Sequence, residues 1–184
     1  MIFKAIEFAA KAHNGQFRKC SQIPYIIHPI HVAKILIENG FAEPVVAAGI
    51  LHDTVEDTIV TLEDIKREFG NEVAQIVTGA SEPDRSKQWE ERKKHTIEFL
   101  KTANEDIIAV VCADKIDNAG SILEDLEKEG QSIWKRFNRP KKDQQWYYGS
   151  IVEVLESRET SKQIKTLVEV LKSEVEKVFV YQEI

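Results

Sequence analysis

Two stretches of the chain are apolar on nearly every side. The first is Pro44-Val45-Val46-Ala47-Ala48-Gly49-Ile50-Leu51; the second, Ile107-Ile108-Ala109-Val110-Val111-Cys112-Ala113, begins a longer helical pattern from Glu105 to about Lys128. A helix without a polar face belongs inside a protein. Around these two, the chain reads as helices with apolar residues at three- and four-residue spacing. Ile2 to His13 carries Ile2, Phe3, Ala5, Ile6, Ala9 and Ala10 at that spacing and stops at Asn14-Gly15, as a left-handed cap would. The next helix runs from Pro29 to about Asn39-Gly40, with His28 at its entrance, because the residue before a proline avoids the helical region. Thr61-Leu62-Glu63-Asp64 reads as a cap that opens a short helix ending at Phe69-Gly70. Another helix runs from Asn71 to about Thr78, followed by the turn Ser81-Glu82-Pro83-Asp84 and a charged helix from Lys87 to about Lys101. Gly130 breaks the pattern, and Ile133 to Phe137 is a short aromatic segment. Pro140 opens a helix to about Leu155, and Ser161 to Val180 closes the chain. No alternating strand of convincing length occurs; Val178-Phe179-Val180-Tyr181 is the one ambiguity. The pattern predicts an all-α helical bundle forming a single domain over residues 1–184.

Composition narrows the classes of function. The chain has 184 residues, 42% hydrophobic and 30% charged, which suits one soluble domain with a full core. No apolar run is long enough to cross a bilayer, and Met1-Ile2-Phe3-Lys4 enters an amphipathic pattern directly, without a signal peptide. The cysteines, Cys20 and Cys112, have no CxxC spacing, so a disulfide framework is not expected and a reducing cytoplasm is the default setting. A net charge of -6 argues against a nucleic-acid partner, which needs a positive face. Basic clusters at Arg18-Lys19, Arg92-Lys93-Lys94 and Lys135-Arg136 through Lys141-Lys142 suit a small anionic ligand better than a polymer.

The chemistry gathers where the two buried helices end. The first runs into Leu51-His52-Asp53-Thr54-Val55-Glu56-Asp57, the second into Asp114-Lys115-Ile116-Asp117-Asn118. Half-burying that much charge is costly without a partner, and a divalent cation binds His and Asp together. His28, His52, Asp53 and Asp114 make a nitrogen and oxygen set without sulfur, which suits Mn, Fe or Zn and argues against a closed structural zinc site. Neighbours such as His52 and Asp53 point about 100° apart on a helix, so they share an ion only where the helix opens. If the helix continues past Asp53, Glu56 stacks near His52 and Asp57 near Asp53, both placed to orient and deprotonate a water. The expected reaction is metal-assisted hydrolysis of a phosphate ester or anhydride.

His28, the doublet His52-Asp53 and Asp114 resemble the H…HD…D signature of the HD-domain phosphohydrolases. More closely, Ala12 through Lys19, Pro24 through Pro29, Leu51 through Thr58, Phe69-Gly70 and Ala113 through Asn118 resemble the hydrolase domain of the RelA/SpoT proteins and their stand-alone small relatives, including the animal SpoT homologue. The matching blocks make a motif core over about 2–118, with C-terminal helices over about 119–184. The resemblance implies an HD-domain bundle around one Mn²⁺, with Zn²⁺ or Fe²⁺ as alternatives, that hydrolyses guanosine tetra- or pentaphosphate at its 3′-pyrophosphate to GDP or GTP. It implies His28, His52, Asp53 and Asp114 as metal ligands and Glu56 and Asp57 as the residues serving the water. Arg18, Lys19 and Asn118 would line the nucleotide pocket, and one of Arg92, Lys93 and Lys94, with Lys93 as the candidate, would meet the far phosphates.

The chain also departs from that pattern. Cys20-Ser21-Gln22 stands where Ser-Gly-Glu is usual, Lys115 and Asp117 replace an Arg and a His, and Gly79-Ala80-Ser81-Glu82-Pro83 lacks the usual threonine-lysine pair. These changes keep two alternatives open: an HD phosphohydrolase on another nucleotide (NADPH at its 2′-phosphate, or a nucleoside monophosphate) and a non-catalytic nucleotide-sensing module. Blander expectations stand beside them. His31 packs or supports, His95 and the cluster Arg92-Lys93-Lys94 lie on solvated faces, Trp146-Tyr147-Tyr148 packs the core, and Cys112 is buried and inert. The closing helices pack on the bundle and offer a face for a homodimer.

Overall fold

The computed structural model describes residues 1–19, 21–82 and 86–180, so Cys20, the Pro83-Asp84 part of the predicted turn and Tyr181 lie outside the described residues. The described chain is helical: α1 (Ile2–Ala12), α2 (Ile27–Glu38), α3 (Glu43–Leu51), α4 (Thr54–Asp57), α5 (Leu62–Phe69), α6 (Asn71–Ala80), α7 (Trp89–Leu100) and α8 (Glu105–Glu129). A 3₁₀ turn at Gly130–Arg136, α9 (Lys141–Glu156) and α10 (Lys162–Val180) follow. Among the described residues there is no strand, only an isolated antiparallel bridge between Phe17 and Pro24. No described helix is long and apolar enough to cross a membrane.

Local chemistry explains the boundaries. Thr61 accepts from the Asp64 amide while the Asp64 carboxylate accepts from the Thr61 amide, so the cap expected from sequence opens α5 as a reciprocal box. Asn104 caps α8 by accepting from the Ile107 amide at 2.9 Å. Gly15 and Gly130 take positive φ, 79° and 63°, where the chain leaves α1 and α8. One boundary differs from the sequence reading. Helix α2 begins at Ile27, so His28 lies inside its first turn and not ahead of it. Pro29 permits this because the first-turn amides have no partner within the helix and its missing N–H removes nothing.

The two apolar stretches form the centre. Every residue of α3 from Val45 to Leu51 is buried, as is α8 from Ile107 to Ala113. The buried hydrophobic side chains make one cluster. Helix α8 packs against α2, α3, α6 and α10, and α2 packs against α3. Gly49 allows that last approach: a Cβ there would lie 2.5 Å from Leu36 Cδ1 and 3.2 Å from Val32 Cγ1. The end of α3, the start of α2 and the middle of α8, where its apolar run stops, therefore meet.

Candidate metal centre

Helix α3 stops at Leu51, and the backbone opens into a turn at His52-Asp53 before α4. The regular continuation past Asp53 considered from sequence is replaced by a break and one short turn of helix. The break solves the geometric problem of adjacent ligands: His52 Nε2 and Asp53 Oδ2 come within 3.1 Å. Asp53 occupies the N-cap position of α4 but makes no cap hydrogen bond, leaving its carboxylate turned to the cluster. His28 Nε2 lies 3.4 Å from Asp53 Oδ2 and 3.2 Å from Asp114 Oδ1. His52 Nε2 lies 3.8 Å from Asp114 Oδ1, and ligand atoms of His28, His52 and Asp114 fall within 4.8 Å of one another.

Each of these side chains is oriented from behind. The Gly49 carbonyl, which can only accept, is 2.8 Å from His52 Nδ1, so the proton sits on Nδ1 and Nε2 faces the cluster. His28 Nδ1 is 2.6 Å from Asp117 Oδ2, the carboxylate–histidine pairing that fixes a metal-binding imidazole. The Tyr25 hydroxyl donates to Asp53 Oδ2 at 2.6 Å. Asp114 accepts from Lys115 Nζ at 2.6 Å and from Asn118 Nδ2 at 2.5 Å.

The electrostatics follow from this crowding. Burial opposes a charged His28, but its contacts with Asp114, Asp117 and Asp53 outweigh it and raise its pKa to about 9. Burial likewise opposes charge on His52, and Asp53 and Asp114 overcome it, lifting the imidazole well above its ordinary value. Asp53 and Asp114 resist burial through His52, His28 and Lys115, which hold both carboxyls well below their usual range. Burial, then Asp53, pushes the Tyr25 hydroxyl up, keeping it a donor.

The donor set fits a divalent cation. His52 Nε2 is buried and, among the described residues, makes no well-aligned hydrogen bond although Asp53 and Asp114 crowd it, in a group of imidazoles and carboxylates that share one point. His28, His52 and Asp114 could hold such an ion, with Asp53 beside them.

A cavity of about 520 Å³ opens from this cluster, with His52, Asp53, Asp114, Glu56, Lys93 and Tyr147 among its lining residues. Glu56 accepts from the Glu82 amide across it. Asp57 holds the loop before α2 through its backbone carbonyl, which accepts from Gln16 Nε2 at 2.8 Å. The basic candidates divide. Arg18, Lys19 and Asn118 do not line this cavity. Arg18 Nη2 donates to Ser121 Oγ at 2.8 Å and Asn118 Oδ1 at 3.3 Å, and Lys19 Nζ stands 5.6 Å from the Phe137 ring centroid. Lys93 is in the cavity wall, its Nζ 4.6 Å from the Tyr147 ring centroid.

The solvated-face reading of Arg92-Lys93-Lys94 fits only Lys94, an exposed residue paired with Glu90 at 2.8 Å. Arg92 and Lys93 are mostly covered and paired with Glu82, because α7 packs against α9 and turns them inward. His95 is exposed, as expected, yet stands at the cavity. Tyr147 and Tyr148 are buried, whereas Trp146 is 38% exposed and so only partly in the core. Cys112 is buried, and burial pushes its thiol up to about 12.

Sequence reasoning missed the roles of Asp117, Tyr25, Lys115 and Glu82. Asp117 carried a usable signal: three residues after Asp114 on one helix, it shares that residue's face. Tyr25 and Glu82 carried none, since their contacts depend on how separate segments pack, and Lys115, though next to Asp114 in the chain, showed only as a departure from the family pattern.

A family model described as an HD domain matches residues 5–143. The zebrafish protein named guanosine-3′,5′-bis(diphosphate) 3′-pyrophosphohydrolase MESH1 is 37% identical over 137 residues, covering 73% of this chain and 73% of its own. An Aquifex aeolicus protein named guanosine-3′,5′-bis(diphosphate) 3′-pyrophosphohydrolase is 36% identical over 136 residues, but the chain spans only 19% of its length. The crystal structure of lmo0812 from Listeria monocytogenes superposes with a TM-score of 0.78 at 41% identity, covering 84% of this chain and 99% of that one. A metazoan SpoT orthologue described as hydrolysing ppGpp superposes with a TM-score of 0.74 at 28% identity, covering 94% of both chains.

Proposed function

The chain belongs to the HD-domain family, and on that premise we propose that it is a metal-dependent phosphohydrolase acting on guanosine 3′,5′-bis(diphosphate). The observation that carries the reading is the convergence of His28, His52, Asp53 and Asp114, with the buried Nε2 of His52 facing both carboxylates, at a cavity lined by Glu56 and Lys93. The zebrafish and metazoan relatives, named for this hydrolysis, support the choice of substrate.

In this reading His28, His52, Asp53 and Asp114 hold one divalent ion, Mn²⁺ by preference. When bound, such an ion acidifies a water and draws charge from a phosphoryl oxygen. The protein supplies the rest. Glu56, in the cavity wall, and Asp57, next along α4, orient the water and take its proton. The water oxygen forms a bond to the 3′-linked phosphorus, the bond from that phosphorus to the ribose 3′-oxygen breaks, and the 3′-oxygen leaves with the proton that the carboxylate took from the water. GDP and pyrophosphate result. Lys93 meets phosphoryl charge in the cavity, and Arg18 with Asn118, outside that cavity but joined to Asp114, offers a planar cation and an amide for the base. The proposed setting is the cytoplasm.

The test is a nucleotide panel read by product identity, with Mn²⁺, Zn²⁺ and chelator arms. Pyrophosphate and GDP should appear from the alarmone with Mn²⁺ and fall to background in chelator and in Asp53→Ala or Asp114→Ala. Turnover of NADPH or a nucleoside monophosphate alone would replace the substrate. Metal loading with no turnover of any nucleotide would refute the enzyme.

A further inference from the structure

The cavity wall mixes acids and bases, Asp53, Glu56, Glu82 and Asp114 with Lys93 and Lys115, and Arg92 stands just behind it. Glu82, at the end of the turn after α6, places one carboxylate oxygen on Arg92 Nη1 and the other on Lys93 Nζ. Its backbone amide donates to Glu56 Oε1, so this ion-paired seat lies one residue from the carboxylate proposed to serve the water.

The seat has more donors than Glu82 can satisfy. Among the described residues, Arg92 Nε is buried without a hydrogen-bond partner. A guanidinium offers its donors as a planar fork suited to bidentate acceptors, and here only part of the fork is used. Two ammonium groups also lie near each other. Lys93 and Lys115 share the ring of Tyr147, with Nζ atoms 4.6 and 5.9 Å from its centroid. Burial and then Lys115 lower the pKa of Lys93, while Glu82 stays ionised because Lys93 and Arg92 outweigh its own burial. One carboxylate with a single charge thus faces both Arg92 and Lys93, while the nearby ammonium of Lys115 is paired with Asp114. A phosphoryl group would bring more oxygens and up to twice the charge to the same place.

We propose that Glu82 is an internal competitor for the phosphoryl seat: its carboxylate holds Arg92 and Lys93 until a polyanionic ligand displaces it, and so sets the affinity threshold for entering the site. The displacement cost is the same for every ligand. It leaves a tightly held diphosphate bound but drops a weak, singly charged ligand below useful affinity. The proposal rests on reading this cavity as the phosphate-ester site, but its test needs no turnover.

Binding of inorganic pyrophosphate to the full chain is measured by calorimetry after dialysis against chelator. Glu82→Gln keeps the shape and removes the charge, and should tighten pyrophosphate binding at least about ten-fold. Lys93→Met should weaken binding, and Glu82→Gln added to it should recover less than about two-fold. Should Glu82→Gln fail to fold, Glu82→Asp serves instead: its shorter carboxylate cannot bridge both cations, and binding should tighten several-fold. Unchanged or weaker binding in the folded Glu82 variant would overturn the proposal, leaving a purely structural ion pair. So would a gain that persists undiminished in the Lys93→Met background. Failure of the alarmone assay with tighter pyrophosphate binding in Glu82→Gln would remove the guanosine substrate and keep the competitor.

Discussion

Asp117 offers the sharpest test of how the centre is held. Its Oδ2 stands 2.6 Å from His28 Nδ1 and its Oδ1 2.9 Å from His31 Nδ1, with Arg18 Nη2 3.6 Å from Oδ2. A carboxylate on the far nitrogen fixes the ring and makes the facing nitrogen a better donor, and losing such a partner typically costs about 10–100-fold in metal affinity. Asp117→Asn keeps a carbonyl oxygen that can still accept from His28 and loses only the charge, so it belongs near about ten-fold, roughly 1.4 kcal/mol. Asp117→Ala loses orientation as well and belongs near about a hundred-fold, roughly 2.7 kcal/mol. Free Mn²⁺ measured by electron paramagnetic resonance during titration reads this without turnover, and the melting curve of the chelated variants controls for folding. Arg18→Met should leave Mn²⁺ affinity within about two-fold, since Arg18 touches Asp117 only at its edge. Wild-type affinity in Asp117→Ala, or equal losses in Asp117→Asn and Asp117→Ala, would refute the reasoning.

Two further outcomes follow from the same geometry. Gly49→Ala would drive a methyl group against Leu36 and Val32, both fully buried, and should destabilise the chain by about 1–3 kcal/mol; a melting temperature within about a degree of wild type would show that α2 and α3 can separate. For the chelated chain, the raised pKa of His28 gives stability that is complete below its ordinary value of 6.5 and lost as pH rises through about 9. The depressed Asp53 and Asp114 give stability that is present above 3.8 and lost on further acidification. Melting temperature against pH should therefore show the cluster's contribution greatest between 3.8 and 6.5, and His28→Gln should flatten the alkaline side. An unchanged alkaline limb in that variant would assign the loss elsewhere.

Much of the fold was readable because it rests on short-range rules. The all-apolar runs marked α3 and the first half of α8 as core, and Thr61 with Asp64, Gly15 and Gly130 marked where helices begin and end. The start of α2 was not readable, because a proline's avoidance of a preceding helical residue yields to the tolerance of a first turn. Within the centre, residue types and order pointed to His28, His52, Asp53 and Asp114, and the structure brings them together. The environment of Lys93 was hidden, because a run of three bases looks alike whether it faces water or, as here, turns toward α9 and closes on Glu82. Asp117 looked like a gap in a motif when judged against the family pattern; its contact with His28 spans 89 positions and needs the packing of α2 on α8 to be seen.

Helix α8 carries Asp114, Asp117, Asn118 and Ser121 along one side, and its packing partners include α10, which lies beyond the stretch shared with the family model. The beam that bears the chemistry is thus braced by a strut from outside the stretch that the family model matches. Substitutions along Leu167, Leu171 or Val178 can shift the beam by fractions of an ångström, and with it every group it bears, while leaving each one chemically intact. Drift in the tail of such a chain is therefore a route to retuning the reaction from outside, without changing a single residue that touches the ligand.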